Sequence, residues 1–159
     1  MLPIKTILHA TDFSPRSECA FRLASALARD YEARLVVLHA VPPPVVMPMN
    51  GVVPADPEES KARVREKLEA LHADDPKVAM EHRLVDGDPV HEILRAANET
   101  KADIIVMGTH GWTGLARLLM GSVAEGVVRK APCPVLTLKT PMAAVKAAEK
   151  APALEPAGV

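Results

Sequence analysis

The strongest constraint on the fold is a helix-start signal that recurs along the chain. A capping residue stands directly before proline at Ser14-Pro15, Asp56-Pro57 and Asp88-Pro89. Ser and Asp are favoured at the N-cap, and proline suits the first helical position because the N–H there has no intrahelical partner. Short apolar runs separate these helix starts. Strands that alternate with helices in this way indicate βαβ units, a parallel sheet and right-handed crossovers.

The predicted elements follow this alternation. Strands are predicted at 5–11, 35–41, 78–85, 103–108 and 134–139, and helices at 15–31, 57–73, from 89 onward and at 122–130. The expected fold class is α/β, a five-stranded parallel sheet with helices on both faces. Residues 141–159 are rich in Ala, Pro, Lys and Glu and cannot bury enough apolar surface to fold. We therefore expect one domain over 1–140 and a flexible tail over 141–159.

Composition excludes several classes of partner. Aromatic residues make up 3% of the chain and the net charge is -1, so the stacking rings and basic field of a nucleic-acid-binding protein are missing. No apolar run approaches the roughly 20 residues that span a bilayer. The first residues do not resemble a secretion signal, and Cys19 and Cys133 lack metal-type spacing. We expect a cytoplasmic protein with no nucleic-acid or membrane partner.

The glycines concentrate late in the chain. Five of the eight glycines fall between residues 108 and 126, beginning where the fourth strand ends. Ligands of open parallel sheets bind beyond the carboxyl ends of strands. Gly108 and Gly111 would let the backbone adopt a positive φ and approach a ligand, and Gly121, Ser122 and Val123 would offer free N–H groups at a helix start. These residues alone leave open a phosphate site and a set of ordinary turns with a helix cap.

Two common nucleotide motifs are absent. The Walker A motif needs Gly-Lys followed by Ser or Thr, and this triplet does not occur in the chain. A dinucleotide fold needs G-x-G-x-x-G after the first strand, where this chain has Asp12-Phe13-Ser14-Pro15.

The sequence resembles the universal stress protein family over nearly all of residues 3–139. The resemblance rests on the segments Ile7–Ser14 and Leu38–Val41, on Gly108-x2-Gly111-x9-Gly121-Ser122 with Val-Ala-Glu following, and on the closing segment 131–136. In this context the glycine spacing marks the ATP-binding branch of the family.

The resemblance implies a strand order of 3-2-1-4-5 and an adenine nucleotide, namely ATP, AMP or a cyclic nucleotide, with a divalent cation held by its phosphates. By position it implies that Asp12 and the backbone of Val41 meet the base and ribose and that Met107 lines the pocket. Gly108 and Gly111 would approach the ribose and phosphates, and Gly121, Ser122 and Val123 would bind phosphate. His110, between two of these glycines, would lie near the ligand.

The chain departs from the family pattern at two positions. Ala10 stands where many ATP-binding members have proline, and a backbone contact with the ligand survives that change. Trp112 stands where a basic or small polar residue is common, so the resemblance assigns it no phosphate contact.

The family also implies a homodimer. With strand order 3-2-1-4-5, the fifth strand, Val135–Lys139, lies at an edge of the sheet, and an exposed apolar edge needs a partner. The sequence offers no general base, metal cage or water-positioning residue of the kind that efficient hydrolysis needs. We expect a regulatory or sensing module in the stress response, and slow ATP hydrolysis or self-phosphorylation stays open.

Two alternatives remain at this point. A receiver-type phosphoacceptor domain has acids at the ends of strands one and three, Thr or Ser after strand four and Lys after strand five, which Asp12, Asp86, Thr109 and Lys139 match by position. An adenylate-forming enzyme of a related superfamily would carry a Ser-Gly-Gly-type loop after the first strand, which this chain lacks.

Two histidines fall on predicted neighbouring strands. His9 and His39 have no evident third partner for a metal site. We therefore expect both to be buried core histidines with satisfied hydrogen bonds.

Overall fold

Strands and helices alternate throughout the part of the chain that the computed structural model describes, residues 3–43, 57–109 and 120–139. The strands are β1 (Thr6–Ala10), β2 (Arg34–Val41), β3 (Met80–Asp86), β4 (Ile104–Gly108) and β5 (Val135–Leu138). The helices are α1 (Pro15–Tyr31), α2 (Pro57–Glu69), α3 (Pro89–Thr100) and α4 (Ser122–Lys130).

The five strands form one parallel sheet in the order β3-β2-β1-β4-β5. The predicted α/β class and strand order are confirmed. The chain builds outward from β1 through β2 to β3, and then crosses to the other side of β1 to add β4 and β5. The carboxyl ends of β1 and β4 are therefore neighbours at the point where the order reverses, which is where open α/β sheets bind ligands.

Each face of the sheet carries its own apolar core, because successive side chains of a strand point to opposite faces. One core packs strand residues against α3 and α4: Leu8, Val36, Leu38, Ile105 and Met107 with Ile93, Ala96, Ala97, Ala124 and Val127. The other packs strand residues against α1 and α2: Ile7, Leu35, Val37 and Val106 with Ala20, Phe21, Ala24, Ala28 and Leu68. The central strands are covered on both faces, which explains why they are almost continuously apolar.

The second helix is shorter than predicted. It ends at Glu69, whereas the sequence predicts an end near residue 73. The N–H of Leu71 bonds to the carbonyl of Leu68, a tightening that is common in a final helical turn. The chain then turns before β3, where the N–H of Lys77 donates to the Asp75 carboxylate at 2.9 Å. The third strand consequently begins at Met80, two residues later than predicted.

Some predictions fall on residues outside the described ranges. These are the long loop after Val41, apart from Pro42 and Pro43, the tail over 141–159, and the positions His110, Gly111 and Trp112. Among the helices that are described, none combines the length and apolarity needed to cross a bilayer.

Candidate functional site

A cavity of about 480 Å³ opens at the carboxyl end of the sheet, between the ends of β1, β2 and β4 and the starts of α3 and α4. Its volume lies in the range typical of small-molecule sites, roughly 300–1,000 Å³. Seven residues predicted from the sequence line it: Ala10, Asp12, Met107, Gly108, Gly121, Ser122 and Val123. The fold thus brings together two segments that are about a hundred positions apart in the chain.

Val41 has a different place from the one that the resemblance implies. Its neighbours Ala40 and Pro42 line the cavity, but Val41 is not among the lining residues. Its carbonyl accepts the N–H of Gly87 at 2.9 Å, which ties the end of β2 to the turn after β3. A second lone pair of that oxygen remains available.

Gly108 does not adopt the positive φ predicted for it. Of the glycines within the described ranges, Gly87 alone has a positive φ, 145°. At Gly108, an added Cβ would lie 3.3 Å from the backbone carbonyl carbon of Arg16. A side chain at this position would crowd the start of α1, which approaches the end of β4 closely, and the residue also lines the cavity.

Gly126 belongs to helix packing rather than to the site. It lies within α4, and an added Cβ would lie 2.9 Å from Cγ2 of Val90 on α3. The glycine cluster seen in the sequence therefore combines at least two structural roles.

The start of α4 lacks a side-chain cap. Gly121 occupies the N-cap with φ −58° and ψ 151°, and no side chain bonds to the first turn there. By contrast, the Ser14 side chain accepts the N–H of Ser17 at the start of α1, and Asp88 accepts the N–H of His91 at the start of α3. The first N–H groups of any α-helix have no intrahelical partner. At α4 these groups belong to residues that line the cavity.

The turn between β1 and α1 is held by its own side chains. Thr11 Oγ1 accepts the N–H of Phe13 at 3.1 Å and the hydroxyl of Ser17 at 2.9 Å. One carboxylate oxygen of Asp12 accepts the N–H of Ser14 at 3.0 Å. A carboxylate can accept several hydrogen bonds at once.

His9 is the buried histidine that the sequence predicts, but it is not fully satisfied. Its Nδ1 donates to the carbonyl of Val106 at 2.9 Å, while its Nε2 is buried with no hydrogen-bond partner among the described residues. Burial lowers the pKa of His9 to about 4, an effect that the hydrogen bond to Val106 only partly offsets. The ring is therefore neutral at pH 7.

His39 is a site residue that the sequence reasoning missed. The residue lines the cavity, and its Nδ1 donates to the carbonyl of Thr11 at 2.7 Å. An alignment of β1 with β2 would have identified it. Leu38 is the β2 partner of Ala10, the last residue of β1, so His39 lies beyond the end of β1. Other lining residues missed for the same reason are Thr11, Ser17 and Thr109.

The strand order excludes the receiver-type alternative. Receiver domains of the CheY type have the order 2-1-3-4-5, with the third strand beside the first. Here β3 is an edge strand separated from β1 by β2. Asp86, the proposed phosphoacceptor, is bound instead to Lys61 at 2.5 Å. Across the described ranges, no three His, Cys, Asp or Glu side chains are arranged as metal ligands.

Three similar proteins carry related sequences or folds. A universal stress protein of Methanocaldococcus jannaschii is 38% identical over 141 residues, covering 86% of this chain and 83% of its own. A universal stress protein solved in complex with cAMP has a TM-score of 0.66 and 28% identity, covering 87% of this chain and 99% of its own. The Archaeoglobus fulgidus protein in complex with dAMP has a TM-score of 0.63 and 26% identity, covering 87% and 100%.

The family comparison agrees with the topology and with the cavity at the strand-order reversal. The model of the universal stress protein family matches residues 3–139, most of the sequence. The chain belongs to the universal stress protein family.

Proposed function

We propose that this protein binds an adenine nucleotide in the cavity and acts as a regulatory or sensing module in the stress response. ATP is the proposed ligand, with AMP or a cyclic nucleotide as alternatives. The observation that carries the proposal is the uncapped start of α4 beside a cavity of about 480 Å³. A helix N-terminus with free N–H groups favours an anion.

In this proposal the two sides of the cavity bind different parts of the nucleotide. Ser122 and Val123 bind phosphate through backbone N–H groups and the Ser122 hydroxyl. The N–H of Gly121 donates to the carbonyl of Thr109 at 2.7 Å, so Gly121 contributes close approach without a side chain in the way. Asp12 accepts hydrogen bonds from the ribose hydroxyls, and Met107 contributes an apolar wall for adenine. We also propose backbone contacts with the nucleotide at Ala10 and Val41 and a close approach at Gly108. His110 and Gly111 are the remaining residues proposed to lie near the ligand.

The charge of the cavity bears on the form of the ligand. No Lys or Arg is among the described residues that line it. The helix dipole, equivalent to roughly half a charge, offsets only a small part of the charge of a triphosphate. We therefore propose that ATP binds with a divalent cation held by its phosphates.

The structural neighbours support the class of ligand. One was solved with cAMP and another with dAMP, and both ligands join adenine to a phosphorylated sugar. The choice of ATP rests on the glycine spacing of this chain.

Calorimetry tests the proposal directly. We expect heat of binding with ATP and Mg²⁺, weaker binding of ATP with a chelator present, and no binding of GTP at the same concentration. Acid-denatured, freshly purified protein should release an adenine nucleotide on chromatography. Flat titrations with ATP, AMP and cAMP, together with no released nucleotide, would contradict the proposal.

We also propose a homodimer through the edge strand Val135–Lys139. The two edges of the sheet differ in charge: on β3, Glu81 pairs with Arg34 and with Arg83, whereas β5 reads Val-Leu-Thr-Leu. Charged side chains guard an edge against pairing. Strand β5 itself, Val135–Leu138, carries no charged side chain, and Lys139 follows it.

The backbone pattern of β5 identifies a test of the dimer. The N–H of Ile105 donates to Pro134 and the N–H of Thr109 to Leu138. Backbone groups alternate in direction along a strand, so those of Val135 and Thr137 point away from β4. Thr137→Pro removes an outward N–H, and we expect sedimentation velocity to show a shift from dimer to monomer with the fold retained. An unchanged sedimentation coefficient would count against the edge pairing.

We further propose that residues 1–140 fold without the tail at 141–159. A chain ending at residue 140 should keep the thermal midpoint and nucleotide affinity of the full chain. The cytoplasmic location stays a prediction.

A further inference from the structure

The turn between β1 and α1 contains an unusual backbone conformation. Phe13 has φ 60°, a left-handed value that is rare for bulky residues because Cβ crowds the backbone. Such conformations persist only where surrounding interactions hold them, and they concentrate at ligand sites. The residues on either side, Asp12 and Ser14, begin the wall of the cavity and the cap of α1.

Part of the support comes from within the turn. Phe13 donates its N–H to Thr11 Oγ1 at 3.1 Å, and Ser14 donates its N–H to Asp12 at 3.0 Å. These bonds are local, since each joins residues two positions apart. At the start of the turn, the N–H of Thr11 donates to the carbonyl of Leu38 at 2.9 Å, which joins the backbone there to β2.

His39 adds a side-chain connection from β2 that reaches further into the turn. Its Nδ1 donates to the carbonyl of Thr11 at 2.7 Å, over 28 positions of sequence. Its ring centroid lies 4.6 Å from that of Phe13, with the ring planes tilted by 38°. One side chain thus contacts the turn at a backbone carbonyl before Asp12 and at the strained residue after it.

The hydrogen bond also shows which ring nitrogen carries a proton. A carbonyl oxygen only accepts, so Nδ1 must carry a proton. A neutral ring is then the Nδ1–H tautomer, which gives the contact a direct spectroscopic signature.

We propose that His39 is a positioning residue for the nucleotide site. Through Thr11 and Phe13 it holds the turn in the shape that presents Asp12 to the ligand. The nature of the ligand rests on the proposed function, whereas the hold on the turn exists without ligand.

Two substitutions separate the hydrogen bond from the ring contact. His39→Asn keeps an N–H donor on the atom that corresponds to Nδ1 and removes the ring. His39→Phe keeps a ring and removes the donor. His91→Asn serves as a control, because the His91 side chain is 74% exposed.

For His39→Phe we expect ATP affinity, measured by calorimetry with Mg²⁺, to fall about tenfold, the equivalent of one lost hydrogen bond. His39→Asn should restore affinity to within about threefold of the unsubstituted protein, and the control should match it. A purely structural role would instead lower the thermal midpoint of both His39 variants, with no difference in ATP affinity between them. Unchanged affinity in His39→Phe would overturn the proposal.

Measurements without nucleotide test the positioning role separately from the proposed function. Nitrogen-15 NMR of the imidazole should show the Nδ1–H tautomer in the unsubstituted protein, and an Nε2–H tautomer would overturn the proposal even where the Phe variant does not fold. Amide exchange at Phe13 and Ser14 should accelerate in His39→Phe and not in His39→Asn. If the Nδ1–H tautomer and the faster exchange are observed but calorimetry shows no nucleotide binding, the proposed ligand is contradicted and the positioning role is supported. Unchanged amide exchange in His39→Phe would overturn the positioning role.

Discussion

The two walls of the cavity are built in opposite ways. At the β1–α1 wall, side chains satisfy the backbone: Ser14 caps α1, Thr11 and Asp12 accept turn N–H groups, and His39 holds the turn from β2. At the α4 wall, Gly121 provides no side chain to cap the first turn. One wall therefore has its turn and helix start satisfied by side chains, whereas the other has backbone donors that an anion would satisfy.

The largest expected effect comes from giving α4 the cap that it lacks. In Gly121→Asp, the carboxylate would accept the first-turn N–H groups and stand where phosphate is proposed to bind. The N-cap already has φ −58° and ψ 151°, an extended conformation that Asp adopts without strain. We expect nucleotide affinity to fall on the order of a thousandfold, because apposed like charges cost several kcal/mol, while the thermal midpoint stays the same or rises.

Gly121→Asn is the matched control for charge, since it caps the helix without a carboxylate. We expect it to weaken ATP binding less than Asp does in the same calorimetric titration. Equal affinity for all three proteins would mean that the start of α4 does not bind phosphate.

The second prediction concerns His9, which lies on β1, the strand that leads into the β1–α1 wall. The unfolded chain takes up a proton near pH 6.5 and the folded protein only near pH 4. Between these values the unfolded state binds more protons, so stability falls as the pH drops through this window. The loss attributable to His9 should approach about 3 kcal/mol at pH 4.

Urea unfolding at pH 7 and pH 4 checks this value. His9→Leu should lose less free energy of unfolding over the same interval, because the buried proton acceptor is gone. Parallel pH dependences for the two proteins would show that His9 does not carry the effect.

The third prediction distinguishes Gly126, which packs against α3, from Gly121, which is proposed to lie at the phosphate site. Gly126→Ala forces Cβ against Val90, and overpacking of about 1–3 kcal/mol is offset by about 1 kcal/mol of helix propensity. We expect the free energy of unfolding to fall by about 1 kcal/mol with nucleotide affinity unchanged. In the Val90→Ala background, Gly126→Ala should lower the free energy of unfolding by less than it does in the unsubstituted protein, because the smaller side chain makes room for the new methyl group. A loss of affinity at constant stability would place Gly126 in the site instead.

The smallest expected effect is at the α1 cap. Ser14→Ala leaves the N–H of Ser17 without its side-chain acceptor, 3.2 Å away, and such losses typically cost up to about 1 kcal/mol. Chemical unfolding measures this difference, with Ser60→Ala on the exposed face of α2 as the control. Equal stability of Ser14→Ala and the unsubstituted protein would show that the cap is not needed at this wall.

Local sequence predicted the elements and the part of the cavity lining formed by Gly108 and by Gly121, Ser122 and Val123, because these depend on signals that lie close together in the chain. It also predicted the Ser14 and Asp88 caps. The other predicted lining residues, Ala10, Asp12 and Met107, came from the family resemblance. The role of Gly108 was beyond its reach, since the reason for that glycine is Arg16, on a different element.

The tripeptide Leu-His-Ala shows the same limit within one pair of strands. It occurs at residues 8–10 and again at 38–40. His9 is aligned with Val37 in the sheet and lies under Phe21 of α1, so it is buried. His39 lies two positions further toward the carboxyl edge and lines the cavity. Register between strands, which local sequence does not contain, decides their roles.

The separation of the two walls along the chain has a consequence for biosynthesis. Asp12 leaves the ribosome long before Ser122, so the cavity closes only when α4 and β5 have joined a sheet that is otherwise complete. A nucleotide that binds there as proposed would recognise the finished domain and not a truncated or partly folded form. At a hundredfold excess over its dissociation constant it would stabilise the finished domain by about 2.7 kcal/mol.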